Sequence, residues 1–288
     1  MGGPVQRIGV VGCGLMGSGI AEVCARAGQS VLVVEIDEAA VQHGRERIEA
    51  SIDRAIRGRK LEPEVKEDAL EHLTFSTDLD DLHDRELVIE AVAEDERTKV
   101  ELFAHLDKVV RAKDAILASN TSSIPIMKLA MATARPEQVV GIHFFNPVPV
   151  LRLVELVTSL LTSPETIERS SDFAERVLGK CVIRSQDRAG FVVNALLIPY
   201  VLSAIRMLES GFATAEDIDR GMVEGCAHPM GPLALADLIG LDTTNAVAQS
   251  LYEEFKEPLY ASPPLLSRMV DAGLLGRKSR RGFYEYAR

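Results

Sequence analysis

The stretch from Arg7 to Glu35 reads R-I-G-V-V-G-C-G-L-M-G-S-G-I-A-E-V-C-A-R-A-G-Q-S-V-L-V-V-E, and no other part of the chain restricts the fold as tightly. A β-branched run ends in a glycine loop, an apolar helix follows, and a second apolar run closes on an acid. Gly12 permits the tight turn that leaves the strand Arg7–Val11. Gly14 has no side chain, so a phosphate can approach the backbone, and Gly17 lets the helix lie close to the strand. The helix start turns unpaired N–H groups and the positive end of its dipole toward that anion. Glu35, 18 residues beyond Gly17, stands where a carboxylate accepts hydrogen bonds from both ribose hydroxyls. The unit reads as a dinucleotide site, and Glu35, reinforced by Asp37 and Glu38, would repel a 2′-phosphate and so favours NAD over NADP.

The rest of the chain extends that unit. Strands are predicted at residues 31–35, 73–76, 87–92, 115–119, 139–144, 150–157 and 181–185, with helices at 38–59, 96–111 and 164–178. Such alternation implies an α/β fold: a Rossmann-type, doubly wound, mainly parallel sheet with a long helical insertion before residue 73. Beyond residue 187 the pattern is helix upon helix (191–209, 215–224, 233–238, 242–254 and 264–272), with one closing strand at 282–286. Two domains are therefore expected, an NAD-binding domain over 1–185 and an all-helical domain over 186–288, assigned a substrate cleft and dimerisation, whose apolar faces suit a dimer or equally a core of its own. A net charge of −11 argues against nucleic acid or an acidic membrane surface, and obliges any anionic ligand to find local positive charge. The most apolar stretch, 191–205, is interrupted by Asn194 and Pro199 and is too short to span a bilayer. With no signal segment before the first strand, a soluble cytoplasmic protein is expected. Four cysteines without C-x-x-C spacing read as reduced thiols, with no metal site.

Four groups of residues could carry chemistry. His143 ends an apolar strand, and Glu155 falls on an apolar face of the next one, where a carboxylate is costly unless paired. If neighbouring strands bring the two together, the carboxylate orients the imidazole as a general base; otherwise each is structural. Ser119-Asn120-Thr121-Ser122-Ser123 follows a buried strand, where it either lines a ligand site or caps a helix over 124–134. Asn194 either bonds a neighbouring helix or holds a substrate oxygen. Arg54, Arg57, Arg59 and Lys60 form a basic island, with Ser51 and Arg54 on one helix face, that is either an anion site or a solvated helix end.

Taken in order, Gly12-Cys-Gly-Leu-Met-Gly17, Val88-Ile-Glu90-Ala-Val-Ala-Glu94, Ala118-Ser-Asn-Thr-Ser-Ser123, His143-Phe-Phe-Asn-Pro147 and Leu153-Val-Glu155 resemble the 3-hydroxyacyl-CoA dehydrogenases. Gly190-Phe-Val-Val-Asn194, Pro229-Met-Gly-Pro232, Gly240-Leu-Asp242 and Gly282-Phe-Tyr284 extend the likeness over essentially the whole chain, which is most similar to the short, single-function bacterial 3-hydroxybutyryl-CoA dehydrogenases. The resemblance implies that His143 is the catalytic base and Glu155 its partner, at the family's spacing of twelve. It implies that Ser122 and Asn194 hold the C3 oxygen of the substrate. Cofactor contacts are implied for Gly12, Gly14, Leu15, Met16, Gly17, Glu35, Ala91, Glu94, Lys99, Asn146 and Lys278, with Asn146 near the nicotinamide and the substrate. Ser51 matches a coenzyme A contact; the family's lysine further along the same helix, one turn beyond Arg54, falls at Gly58, so Arg57 or Lys60 would replace it. The implied reaction is reversible NAD-dependent oxidation of a short-chain (3S)-3-hydroxyacyl-CoA by a homodimer joined through its helical domain. Two other readings share the dinucleotide unit: a dehydrogenase of a free sugar acid such as L-gulonate, and a non-catalytic dinucleotide-binding sensor. The basic island favours the thioester, and the presence of both His143 and Glu155 opposes a sensor.

Overall fold

The computed structural model describes residues 5–287 and divides into two compact units between Arg188 and Ala189. The first is built on eight strands: β1 (Arg7–Val11), β2 (Ser30–Val34), β3 (Leu73–Ser76), β4 (Leu87–Glu90), β5 (Ile116–Ser119), β6 (Val139–Phe144), β7 (Leu153–Thr158) and β8 (Cys181–Gln186). They form one sheet in the order β3-β2-β1-β4-β5-β6-β7-β8. Every neighbouring pair is parallel except β6 and β7. The central strands are buried along most or all of their length, which is why they read as unbroken Val, Ile and Leu rather than as an alternating pattern. Strand order reverses between β1 and β4, the place where ligands sit above the carboxyl ends of an open α/β sheet.

Among the described residues this unit has the α-helices α1 (Leu15–Arg26), α2 (Glu38–Arg57), α3 (Glu64–Glu71), α4 (Glu96–Val109), α5 (Ile126–Ala130) and α6 (Pro164–Asp172). Helix α2 starts where the Asp37 carboxylate accepts the Ala40 N–H at 2.7 Å, and it buries Val41, Gly44, Ile48 and Ile52 along one stripe. It ends at Arg57, so Lys60 lies off the helix beyond Gly58. Helix α3 carries no legible stripe, since Ala69 alone is buried. The helix expected over 124–134 contracts to α5, and its cap is not a Ser or Asn: the Asp187 carboxylate takes the N–H groups of Ile126 and Met127 at 2.8 and 2.7 Å. The strand expected from residue 150 begins only at Leu153, because Val150 and Leu151 both donate to the Pro147 carbonyl in a turn. Helix α6 widens into a π turn over Phe173–Val177.

The second unit contains α7 (Val193–Glu209), α8 (Ala215–Cys226), α9 (Pro232–Ile239), α10 (Leu241–Phe255) and α11 (Pro264–Asp271) around a core that includes Leu202, Ile205, Leu233, Leu241, Leu251 and Leu266. The closing strand expected at 282–286 is absent; only two isolated bridges form there, Gly276 with Arg281 and Arg281 with Glu285. Two of its backbone donors go to a carboxylate instead: Asp237 accepts the N–H groups of Phe283 and Tyr284 at 3.0 Å, and also the Tyr286 hydroxyl at 2.9 Å. Asp219 accepts Leu233 N–H, Ala234 N–H and the Tyr284 hydroxyl at 2.8–2.9 Å, tying the first turn of α9 to the same segment. Among the described residues, no helix is long and apolar enough to cross a membrane.

Candidate active site

The glycine loop joins β1 to α1 at the reversal of strand order. Gly12 has φ +88°, and a β-carbon there would meet the Ala91 carbonyl oxygen at 2.9 Å. A β-carbon on Gly17 would fall well inside contact distance of the Gly12 carbonyl oxygen, whereas one on Gly14 would meet nothing within 4 Å. The loop is thus crowded on the sheet side and open above Gly14, and no side chain caps the exposed start of α1 at Leu15 and Met16. Glu35, just past β2, receives the Cys13 N–H at 2.5 Å and the Ile36 N–H at 3.1 Å. The next peptide group is held by Arg47 of α2, whose guanidinium donates to the Cys13 carbonyl at 3.0 Å. An open, uncapped helix start with a carboxylate beside it fits a dinucleotide's pyrophosphate and ribose.

Beyond the loop lies a network centred on Lys99 of α4, which is almost wholly buried. Its ammonium contacts Glu90 at 2.9 Å and Glu94 at 2.8 Å. Glu90, fully buried at the end of β4, also accepts Val92 N–H and the Ser119 hydroxyl. Glu94 accepts the Thr121 hydroxyl, the Ser122 N–H at 3.0 Å and the Ser123 hydroxyl at 3.2 Å. Burial opposes ionisation of Glu94, but the Lys99 charge and these hydrogen bonds outweigh it and hold its pKa below the ordinary carboxylate value. Lys99 therefore acts on Glu94, and Glu94 on the loop bearing Ser122. Glu90 is the residue that sequence reading gave no role. An acid ending the apolar run Leu87–Glu90 was the available signal, the same one that exposed Glu155.

His143 and Glu155 meet. They are register partners across the antiparallel joint of β6 and β7, which puts both side chains on one face of the sheet. His143 Nδ1 lies 2.7 Å from Glu155 Oε2, with the carboxylate fully buried and the His143 side chain 8% exposed. The Phe145 ring packs on the imidazole at 4.6 Å between centroids. Asn120 accepts the Phe144 N–H at 2.9 Å and ties the end of β5 to the end of β6. Asn146 follows as an exposed residue joined to Pro147 by a cis peptide bond.

The remaining expected residues fall elsewhere. Ser51, Arg54 and Arg57 lie on α2, with Ser51 half-buried and Arg54, Arg57 and Lys60 exposed. The island is not free of acids nearby, for Asp53 and Glu49 engage Lys66 of α3 at 2.9 and 3.9 Å. Asn194, half-buried in the first turn of α7, and Lys278, whose ammonium pairs with Asp242 at 2.5 Å, belong to the second unit.

Residues 7–188 match the NAD binding domain of 3-hydroxyacyl-CoA dehydrogenase, and residues 190–286 match its C-terminal domain. This chain belongs to the 3-hydroxyacyl-CoA dehydrogenase family. It is a dehydrogenase, and the cofactor of its first unit is NAD. The chain is 61% identical over 286 residues to a 3-hydroxybutyryl-CoA dehydrogenase of Mycobacterium tuberculosis, covering 99% of this chain and 100% of the relative. The human mitochondrial hydroxyacyl-coenzyme A dehydrogenase is 40% identical, with 98% of this chain and 91% of the relative covered. Among solved structures, the (S)-3-hydroxybutyryl-CoA dehydrogenase of Ralstonia eutropha superimposes with a TM-score of 0.93 at 46% identity, covering 99% of this chain and 100% of that one.

Proposed function

We propose that this family member interconverts a short-chain (3S)-3-hydroxyacyl-CoA, with 3-hydroxybutyryl-CoA as the first candidate, and the matching 3-ketoacyl-CoA. The observation that carries the reading is the buried His143–Glu155 contact of 2.7 Å. A carboxylate on Nδ1 selects the tautomer with the proton on that nitrogen, and Nε2 is then the basic atom. His143 Nε2 takes the proton of the C3 hydroxyl, and Glu155 offsets the positive charge that develops on the ring. In the reducing direction the imidazolium returns that proton to the C3 oxygen. NAD, when bound, supplies the two-electron acceptor for C3.

The chain's own residues provide position and field. Gly12, Gly14, Leu15, Met16, Gly17 and Ala91 would hold the pyrophosphate end of the cofactor, and Glu35 its ribose. Ser122, braced through Glu94 and Lys99, is assigned the C3 oxygen, and Asn146 the nicotinamide side. Arg54, Arg57 and Lys60, near Ser51, would offer coenzyme A phosphates the positive charge that a chain of net charge −11 otherwise lacks. Asn194 and Lys278 keep the substrate and cofactor roles that the resemblance assigns them. The second unit, whose Leu196 and Phe212 are largely exposed, is assigned the dimer contact.

Loss of NADH absorbance with acetoacetyl-CoA, with longer 3-ketoacyl-CoAs and, in reverse, NAD reduction with free gulonate test the reading together. Fast turnover of acetoacetyl-CoA is expected. Turnover of gulonate alone would transfer the dyad to a sugar acid, and NADH binding without turnover of any of them would leave a sensor. Light scattering with Phe212→Glu tests the dimer.

A further inference from the structure

The connection from β6 to β7, residues 145–152, starts two residues after His143 and ends three before Glu155. Slack in it becomes slack in the register that opposes the two side chains. The connection is held by two sets of contacts. Val148 is buried against α1, where a β-carbon on Gly19 would approach Val148 Cβ to 2.9 Å. The second contact is made by Lys180, at the turn that leads into β8. Its ammonium donates to the carbonyls of Val148 at 2.5 Å and Leu151 at 2.8 Å.

Lys180 is not paired with a carboxylate among the described residues. Burial first, and then the Arg26 charge, lower its pKa against the smaller opposing pull of Cys24 and Glu22 on α1. The ammonium is kept there at an electrostatic cost, and two charge-assisted bonds to backbone carbonyls are what offset it. Its own backbone is fixed as well. Lys180 N–H reaches the Ala174 carbonyl at 2.9 Å, and Cys181 N–H reaches Arg152 at 2.8 Å, where β8 begins to pair with β7. A cation rooted in one strand start thus closes the ends of the neighbouring turn.

We infer that Lys180 is a positioning residue for the dehydrogenase reaction: it pins the Val148 and Leu151 carbonyls and thereby holds His143 in register with Glu155. The inference rests on the dyad proposed above, although the clamp itself does not. Lys180→Met keeps the stem and removes the donors, whereas Lys180→Arg restores them. Hydrogen–deuterium exchange over residues 144–153 should quicken in Lys180→Met. With acetoacetyl-CoA and saturating NADH, kcat should fall about 10- to 100-fold, the loss expected from a misplacement of about an ångström, with the substrate KM changed less than about threefold. Lys180→Arg should bring kcat back to within about threefold of the parent and slow the exchange again. A Lys180→Met protein with parental kcat and parental exchange overturns the inference, and so does a Lys180→Arg protein as slow as Lys180→Met. Should Lys180→Met fail to fold, Lys180→Gln replaces the ammonium with a shorter neutral group; parental kcat together with parental exchange in that protein overturns the inference. If the parent protein does not reduce acetoacetyl-CoA, the functional reading fails, and exchange in Lys180→Met still decides whether Lys180 holds the turn.

Discussion

Replacing Glu155 by Gln isolates the charge of the dyad from its shape. The two side chains are nearly isosteric, and the carboxylate is fully buried, so solvent cannot screen its loss. When Nε2 takes a proton, the ring charge lies roughly 4 Å from the carboxylate, where an effective dielectric of about 20 gives an attraction of about 4 kcal/mol. Gln retains a neutral hydrogen bond worth about 1 kcal/mol, leaving a deficit of about 3 kcal/mol. At about 1.4 kcal/mol per decade this corresponds to a kcat roughly 150-fold lower. The loss grows further if the amide turns its NH2 toward Nδ1, because the ring must then carry its proton on Nε2, the wrong tautomer for a base. The assay is steady-state reduction of acetoacetyl-CoA, paired with NADH titration by fluorescence. NADH affinity should stay at the parental value, since the glycine loop is untouched. A Glu155→Gln enzyme whose kcat lies within threefold of the parent would refute the electrostatic argument.

Four further outcomes follow from other parts of the molecule. Gly17→Ala sets a β-carbon against the Gly12 carbonyl, a backbone clash that no side-chain rotation relieves, so NADH KM should rise at least about tenfold and the melting temperature should drop; an unchanged KM would contradict it. Glu35→Ser removes the carboxylate beside the loop, and the ratio of kcat/KM for NADH over NADPH should shrink by about tenfold or more. Lys99→Met leaves Glu90 and Glu94 without their shared cation and should cost about 3–5 kcal/mol in urea unfolding; a loss under about 1 kcal/mol would show that the network is not electrostatically closed. Because the pKa of Glu94 is lowered on folding, its contribution is present above the ordinary carboxylate value and is lost as pH falls through the lowered one, so the parent should resist acid better than Lys99→Met. Burial, then the hydrogen bond to Asp237, raises the Tyr286 phenol to about 12. A raised pKa gives stability that is complete below the ordinary tyrosine value and is lost as pH climbs through the shifted one. Ultraviolet titration should therefore find Tyr286 late, and Asp237→Asn should return it toward 10.

Legibility from sequence followed burial. Strand β1, the glycine loop and α1 are legible because the loop's sterics and the buried faces of the two elements leave one solution for the run Arg7–Arg26. The same holds for β6, an apolar run recognisable without any partner. Elements whose bonds go to distant side chains are not legible in the same way. Helix α5 takes its cap from Asp187, and the segment 282–286 lies along Asp237 rather than a strand, so neither boundary was written in its own residues. Helix α3 is illegible for the opposite reason, since it buries too little to leave a pattern.

The sequence by itself determined that the chain contains a dinucleotide loop, a carboxylate suited to NAD, and two costly polar residues, His143 and Glu155, on apolar strands. Those conclusions need only backbone sterics and the cost of burying charge, which act locally. Tertiary structure alone decided that the two residues meet. Their contact depends on one antiparallel joint in an otherwise parallel sheet, and on a register that a shift of a single residue would destroy by turning one side chain to the opposite face. Spacing along the chain cannot specify that register, because it is set by how the intervening turn is held, and the groups that hold it, Gly19 and Lys180, lie far from it in sequence.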